Sequence, residues 1–444
     1  MRKPFASLTT GLVLLAAVVV PPVGIVYGAS SMAAGVLLVV GLYAFLYAAL
    51  CAIHGPRRSL GKLAFIVTVV LTVVFAQGFL SFLINTTFNM GRFWQTYGFL
   101  IIYLLGAFFL VFLAQGLPKY KADFAVKFVF YALLLSGLAT ILGYRTLGNP
   151  SAVGFFHENS HYALAFLPLL LYMVVLSSWG KKWFFLFMSF LIGLMLQSLT
   201  LLFGVIAIAM LALRSRQLVF FSIISISILI VALGSINTEY FMARLNPYPN
   251  ALSTDLSANS VVGEPDSVNL SMLSYQSGWE RIYVNLKDYY GIGLGFQQLG
   301  FLGSPGEIMK TFGSIGAQGM NRFDGSFVAS KFISEFGILA VMVLVAYLVY
   351  FARNAWWLRE VSKNGGETVD CRKVFFLACF VMFSIDLFIR GTGYFSSSGF
   401  LFIASLMWIG LPPVSRTPSR DNTSDHRFEP HNSAQSLIVP ILQK

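Results

Sequence analysis

A short stretch of the chain, residues 145–168, combines ionisable side chains with the start of an apolar helix. It reads RTLGNPSAVGFFHENSHYALAFLP and carries Arg145, His157, Glu158 and His161. A charged group at the depth of the lipid hydrocarbon costs at least about 2.5–3.5 kcal/mol, so ionisable residues at such a boundary are functional candidates. Glu158 is the best-placed general base, with His157 or His161 as the alternative because imidazole titrates near neutral pH.

Residues 157–161, His-Glu-Asn-Ser-His, match the H-E-x-x-H pattern of zinc proteases. In those enzymes two histidines one helical turn apart bind the metal and the glutamate activates water. Here Gly154 and Asn159 indicate that a helix only begins within the motif, and no other histidine or cysteine is expected to approach it. A third carboxylate ligand, Asp324 or Glu335, stays open. We predict no metal site and no cofactor, with a zinc protease as an alternative.

Three arginines, Arg145, Arg281 and Arg390, fall in segments expected on the outer side of the membrane. A guanidinium group is a planar fork that binds phosphate oxygens in pairs, so three of them converging on one cavity would bind a pyrophosphate. Each has a structural alternative. Arg390 stands four residues after Asp386 and could pair with it along the helix, and Arg145 could extend to the membrane interface.

Residues 323–340, FDGSFVASKFISEFGILA, form the third group. Asp324 and Ser326 lie at the outer mouth of the helix that follows, and we predict that Arg322 and Asp324 bind substrate. Lys331 and Glu335 are four residues apart, a spacing that predicts an ion pair within one helix.

The composition places these residues in a membrane protein. Of the 444 residues, 57% are hydrophobic and only 11% are charged, and the mean hydropathy is +0.76, outside the range of soluble domains. The net charge of +12 does not indicate nucleic-acid binding, because the lysines and arginines fall between apolar segments rather than on one soluble face. The three cysteines form no disulfide or metal-binding pattern.

Apolar stretches long enough to cross a bilayer recur along the chain and predict an all-α, polytopic helical bundle of about twelve spans. The segments between Trp183 and Leu213 are uncertain, because they could form two spans, one long helix or a re-entrant turn. The short segments expected in the cytoplasm hold 21 of the 30 basic residues, so both termini are predicted to be cytoplasmic. The predicted spans are 8–27, 31–53, 61–84, 93–115, 122–143, 162–178, 183–198, 200–213, 218–236, 327–351, 373–389 and 396–411.

The predicted bundle, residues 1–411, includes one long outer loop, residues 237–326. A loop of this length is more often a lid or binding segment than a simple connector. Within it, residues 277–291 have aromatic and aliphatic side chains at helical spacing, which predicts an amphipathic helix at the outer interface. The tail, residues 412–444, is polar and rich in serine and proline, so we expect it to be disordered in the cytoplasm.

Together, these residues resemble the Wzy-type O-antigen and exopolysaccharide polymerases, relatives of the O-antigen ligases. The topology is similar over nearly the whole chain. Two departures are visible: Asn159 stands where many polymerases have proline, and Ser326, eleven residues before Gly337, stands where ligases have a histidine, which favours the polymerase. The resemblance is carried by Arg145, by Gly154, Phe156, Glu158 and Ser160, and by Gly325-Ser326-Phe327 and Glu335-Phe336-Gly337-Ile338.

The resemblance implies a metal-independent glycosyltransferase with a GT-C-like fold in the bacterial inner membrane. It would transfer a glycan from undecaprenyl pyrophosphate to the next lipid-linked repeat unit, with the active site facing the periplasm. Its partners would be the lipid-linked glycan and the bilayer, with a chain-length regulator left open. The alternatives are an O-antigen ligase, the zinc protease, and a lipid-linked glycan flippase, which is a transporter.

Overall fold

The apolar segments of the sequence form helices in the computed structural model. The structure describes residues 2–26, 32–54, 60–143, 152–235, 270–304, 306–314, 322–365 and 369–411. The chain divides into two units, Met1–Gly410 and Leu411–Lys444. Apart from Leu411, the second unit, which contains the predicted tail, lies outside the described residues, as do residues 236–269 of the predicted outer loop.

Fifteen helices lie within the described residues, and the protein is mostly helical, as predicted. The amphipathic helix predicted at 277–291 is present, but it starts seven residues earlier and ends at Asp288. The helices are α1 Arg2–Val26, α2 Ala33–His54, α3 Leu60–Ile84, α4 Met90–Gly116, α5 Lys119–Ile141, α6 Asn159–Leu176, α7 Trp179–Met195, α8 Leu199–Ala212, α9 Ser215–Ser235, α10 Leu270–Asp288, α11 Glu307–Ser314, α12 Val328–Phe336, α13 Ile338–Asn364, α14 Cys371–Phe388 and α15 Ser397–Ile409.

Five of the described helices are long and apolar enough to cross a membrane. At about 1.5 Å per residue, eighteen residues reach about 27 Å, close to the roughly 30 Å hydrocarbon core of a bilayer. Shorter apolar helical segments occur in α1, α2, α8, α9 and α15. The five long apolar segments are Ala64–Ile84, Met90–Gly116, Lys119–Ile141, Asn159–Leu176 and Ile338–Asn364.

Helix α6 lies at the centre of the bundle. Residues 162–175 are all buried, because the helix is apolar around its whole circumference and packs on α5, α8 and α14. Tyr162 Oη donates to Leu133 O at 3.0 Å, and the Phe166 ring stacks on Phe130 with centroids 5.3 Å apart. This packing fixes the position of the residues at the start of α6.

The segment from Trp183 to Leu213 forms two helices, α7 and α8, which pack on each other. The turn between them includes Gln197 in the left-handed region at φ 52°. The Asn159 side-chain amide donates to Leu196 O at 2.5 Å, which ties this turn to the start of α6. The segment is therefore divided into two helices and is not one long helix.

The predicted span 327–351 is divided into α12 and α13 at Gly337. Gly337 has φ 61° and ψ −137°, which glycine adopts far more easily than other residues. A Cβ atom there would collide with the carbonyl of Gly291, whose oxygen accepts a hydrogen bond from Ile338 N at 2.8 Å. The loop after α10 therefore packs against the break, a contact that hydropathy alone does not predict.

The predicted ion pair between Lys331 and Glu335 was wrong, because both side chains form hydrogen bonds with this loop instead. Lys331 Nζ donates to Gln297 Oε1 at 3.1 Å and to Phe323 O at 2.7 Å. Glu335 Oε1 accepts a hydrogen bond from Leu299 N at 3.2 Å. Both side chains are buried, so these loop contacts satisfy polar groups that would otherwise be costly in the interior.

Substituting Gly337 with alanine is expected to destabilise the protein by about 1–3 kcal/mol, because the new side chain must occupy a sparsely populated backbone region. The measurement is the thermal unfolding midpoint of the purified protein, which should fall. Gly41→Ala is the control, since Gly41 lies in α2 with open space where its Cβ would be. An unchanged midpoint for Gly337→Ala would show that the break does not depend on glycine.

Candidate functional site

The candidate site begins with Glu158, directly before α6. Glu158 is extended, with φ −134° and ψ 150°, and its side chain does not cap the helix. A tight turn precedes it, in which Val153 and Phe156 exchange two backbone hydrogen bonds. Phe156 is buried and its ring lies edge-on to that of Tyr162. The turn is therefore anchored in the core, and the Glu158 carboxylate is held near the positive end of the helix dipole.

Arg390, which follows α14, forms an ion pair with Glu158. Arg390 Nη2 lies 3.1 Å from Glu158 Oε2, across 232 residues of sequence. Ser160 Oγ donates to the same carboxylate oxygen at 2.9 Å. The side chains of Glu158 and Arg390 are 38% and 30% exposed, so a ligand can reach both. The structure thus brings these two candidate residues together.

Asp386 is not the partner of Arg390, so the alternative of an ion pair along α14 is wrong. Its carboxyl group accepts hydrogen bonds from Thr392 N, at 3.1 Å, and from Ser398 Oγ. The backbone turns away from the helix at this point, since Arg390 N donates to Ile385 O at 3.0 Å and Gly391 N to Ser326 O at 3.1 Å. The Arg390 side chain is therefore free of Asp386 and directed towards Glu158.

Glu158 is ionised at neutral pH. Burial opposes its ionisation, but the charges of His161 and Arg390 and the Ser160 hydroxyl outweigh burial and lower the pKa of Glu158 from 4.5 to about 2. A carboxyl group whose pKa is lowered by folding stabilises the folded state above its unfolded pKa, and that contribution is lost as the pH falls through the folded value. The ion pair is therefore complete at neutral pH, and Glu158 is a weak base while Arg390 holds it.

The two histidines of the motif have different environments. His161, in the first turn of α6, has its Nε2 atom 4.0 Å from Glu158 Oε2. His157 precedes the helix and is exposed. The two imidazoles are therefore not one turn apart on a single helix, as the zinc-protease pattern requires. Among the described residues, no group of three metal-ligating side chains is found.

Arg281, Arg322 and Asp324 lie together at the junction of α10 with the turn before α12. Arg281 is only 2% exposed, and its Nη2 donates to Arg322 O at 2.7 Å. Arg322 is exposed and its Nε donates to Gly300 O at 2.9 Å. Burial lowers the pKa of Arg281 to about 10, against the opposing charges of Glu335 and Asp324, so the guanidinium stays charged at neutral pH.

Asp324 links this group to the Glu158–Arg390 pair. Its charge acts on both His161 and Arg281, and it lies beside Gly393, three residues after Arg390. The backbone supports this proximity, because Gly391 packs against Phe327 and Val328. The structure therefore places five other predicted residues in one region around Asp324, and Arg281 is buried within it. These five are Glu158, His161, Arg281, Arg322 and Arg390. Arg145 lies outside the described residues.

No protein-family model matches the chain, and no curated protein matches it. These two comparisons therefore assign the chain to no family.

Sequence reasoning missed the hydroxyl groups that lie beside the ion pair. Ser396, Ser397 and Ser398 open α15, and Thr392 follows Arg390. With His161 they line one cleft, whose other walls are apolar. A run of three serines before an apolar helix was the available signal, but serine is common at helix starts and does not by itself indicate a site.

Proposed function

We propose that the protein is a membrane glycosyltransferase that polymerises oligosaccharide repeat units carried on undecaprenyl pyrophosphate. The proposal includes a GT-C-like bundle of about twelve spans in the bacterial inner membrane, with the site on the periplasmic side. The product would be an O-antigen or a related surface polysaccharide. The five long apolar helices support a membrane location, and the polymerase-like residues support the reaction class.

The Glu158–Arg390 pair is the observation that carries the proposal. It places a carboxylate, which can accept a proton, against a guanidinium group, which can bind phosphate, at a separation of 3.1 Å. Both groups are partly exposed at the end of a buried apolar helix. Glycosyl transfer from a pyrophosphate needs these two functions side by side, because one assists the attacking hydroxyl and the other stabilises the leaving group.

In the proposed step, the oxygen of an acceptor sugar hydroxyl forms a bond to the anomeric carbon of the donor glycan. The bond between that carbon and the phosphate oxygen breaks, and its electron pair leaves with undecaprenyl pyrophosphate. The hydroxyl proton passes to Glu158, with His157 or His161 as the alternative acceptor. Arg390 stabilises the charge that develops on the leaving pyrophosphate.

Donor binding would also activate the base. A bound pyrophosphate would compete with Glu158 for the Arg390 guanidinium. Hydrogen bonds from Arg390 to the pyrophosphate would therefore weaken its contact with Glu158. Loss of that contact removes one of the charges that hold the pKa of Glu158 near 2 and makes the carboxylate a stronger base. The acceptor would therefore be activated only when a donor is bound.

Arg145 and Arg281 are proposed as further pyrophosphate ligands, and Arg322 and Asp324 as glycan-binding residues. Arg281 is buried behind the backbone of Arg322, so its contact with pyrophosphate requires the turn at 322–326 to move. Asp324 is exposed and can accept hydrogen bonds from sugar hydroxyls. A chain-length regulator remains an additional partner to test.

Arg281→Lys is expected to reduce polymer formation by about 10–100-fold, because lysine keeps the charge but loses the paired hydrogen bonds to phosphate. The measurement is the KM for lipid-linked donor together with the thermal unfolding midpoint. A raised KM at an unchanged midpoint supports phosphate binding. A lowered midpoint with an unchanged KM would show that Arg281 has a structural role, such as its hydrogen bond to the Arg322 carbonyl, and does not bind the donor.

A deletion strain tests the function as a whole. Loss of a polymerase leaves single repeats attached to lipid A, loss of a ligase accumulates unattached long polymer, and loss of a flippase leaves no repeat attached. Full-length wild-type protein should restore long chains. Metal analysis of the purified protein addresses the zinc protease, and stoichiometric zinc whose removal stops activity would overturn the proposed mechanism.

A further inference from the structure

The cleft beside the ion pair has one polar side and one apolar side. It lies between α1, the start of α6 and the start of α15. The polar side consists of His161, Thr392 and the three serines, and the apolar side includes Phe156 and Leu164. His161 lines this cleft and is also close to the proposed base, since its Nε2 atom lies 4.0 Å from Glu158 Oε2.

Most of the hydroxyl groups around the cleft have partners in the protein. Pro22 has no N–H, so the Val18 carbonyl one turn earlier loses its helical donor, and Ser397 Oγ donates to it instead at 3.0 Å. Ser396 Oγ caps α15 by accepting from Gly399 N at 3.0 Å, and Ser398 Oγ donates to Asp386. The three serines therefore form part of the polar side of the cleft, and their hydroxyl groups are bonded within the protein.

Two buried polar atoms of residues that line the cleft have no hydrogen-bond partner among the described residues. They are Thr392 Oγ1 and His161 Nδ1. A buried polar group without a partner costs about 1–3 kcal/mol, so the pair favours a ligand that supplies hydrogen bonds. A hydroxyl group both donates and accepts, and it therefore fits either tautomer of the imidazole.

The chemistry of the cleft disfavours two other classes of ligand. The backbone N–H of Thr392 and the hydroxyl of Ser398 already donate to the buried carboxyl group of Asp386, so these two donors are not available to an anion such as pyrophosphate. A purely apolar chain would leave Thr392 Oγ1 and His161 Nδ1 without partners. The cleft has a volume of about 10 Å³, which is room for one hydroxyl group and not for a sugar ring, so the rest of a sugar would lie outside it.

We propose that this cleft seats a hydroxyl group of a neutral sugar, and that the sugar is the acceptor of the transfer reaction. The identity of the sugar as acceptor rests on the proposed polymerase function, whereas sugar binding itself does not. Thr392 would contact the sugar directly. Asp386 would act as a positioning residue, because it holds both Thr392 and Ser398 in place.

Binding of methyl glycosides to the full-length protein in nanodiscs tests the proposal by saturation-transfer NMR. The probes are the methyl glycosides of glucose, galactose, mannose and N-acetylglucosamine. At least one should bind to wild type, and Thr392→Val should weaken it about tenfold, the effect of one hydrogen bond. Thr392→Ser should bind as wild type does. The control is Thr140→Val, since Thr140 Oγ1 bonds within its own helix to Ser136 O.

Equal binding to wild type and Thr392→Val, or no binding of any glycoside, would overturn the proposal. Binding of farnesol in place of the glycosides would also overturn it, since the cleft would then hold an isoprenoid chain. Polymerisation with an unchanged acceptor KM in Thr392→Val would refute the acceptor site but leave the polymerase standing. Thr392-dependent sugar binding without polymerisation would refute the polymerase and leave a sugar site.

Discussion

Replacing Arg390 with alanine is expected to reduce polymer formation by about 10²–10³-fold, the loss that follows removal of one preorganised donor to a developing anion. Of the two proposed pyrophosphate-binding arginines that lie within the described residues, Arg390 is the one in contact with Glu158, and it is partly exposed. The measurement is the initial rate of glycan extension by purified protein in nanodiscs, with lipid-linked repeat units taken from the deletion strain. Arg390→Lys should give an intermediate rate, because it keeps the charge but not the fork.

The matched control is Arg216→Ala, which removes an exposed arginine that has no part in the proposed site. Both variants lose one positive charge, so a general effect of net charge on lipid-linked substrate would appear in both. Thermal unfolding should separate folding defects from catalytic ones, since Arg390 is only half-buried. A rate for Arg390→Ala equal to that of Arg216→Ala would remove Arg390 from the mechanism.

Much of the helical fold could be predicted because each apolar run determines its own helix. The two ends of each of the helices α3, α4 and α5 lie within three residues of the predicted ends. The break at Gly337 could not be predicted in this way, since a glycine within an apolar run also occurs in unbroken helices. Its conformation depends on the carbonyl of Gly291, a contact between segments that are remote in sequence.

The failure of the Lys331–Glu335 prediction has the same origin. The pair spacing is correct for an ion pair within a helix, but the loop at 297–299 supplies partners for both side chains. The spacing along a helix shows which charged residues are close enough to pair. Once the side chains are buried, however, they bond to whichever polar groups surround them. Predictions from a single segment are therefore least reliable where a loop covers it.

The candidate site could be predicted in part. Glu158 and His161 lie in one motif, so their proximity follows from the start of α6. The approach of Arg390 was one of two alternatives, because Asp386 offered a nearer partner in sequence. Asp386 accepts hydrogen bonds from Thr392 and Ser398 instead. Those contacts form only when α14 and α15 are packed together.

Glu158→Gln is expected to reduce the rate of glycan extension by about 10²–10⁴-fold, the usual contribution of a general base. Glutamine has the same shape and its carbonyl oxygen can still accept a hydrogen bond from Arg390, so the fold should be retained while the proton acceptor is lost. The measurement is kcat at saturating donor and acceptor, alongside the thermal unfolding midpoint. Glu307→Gln is the control, since Glu307 forms an exposed ion pair with Lys310 in α11.

Exchanging the two charges, by combining Glu158→Arg with Arg390→Glu, separates a structural ion pair from a catalytic one. The exchanged pair can form the same attraction across the same gap, so the midpoint should recover towards that of wild type. Activity should not recover, because the guanidinium would then face the acceptor hydroxyl and the carboxylate would repel the pyrophosphate. Wild-type polymer chains from the exchanged protein would mean that the pair only holds α6 to the end of α14, and the chemistry would have to be assigned elsewhere.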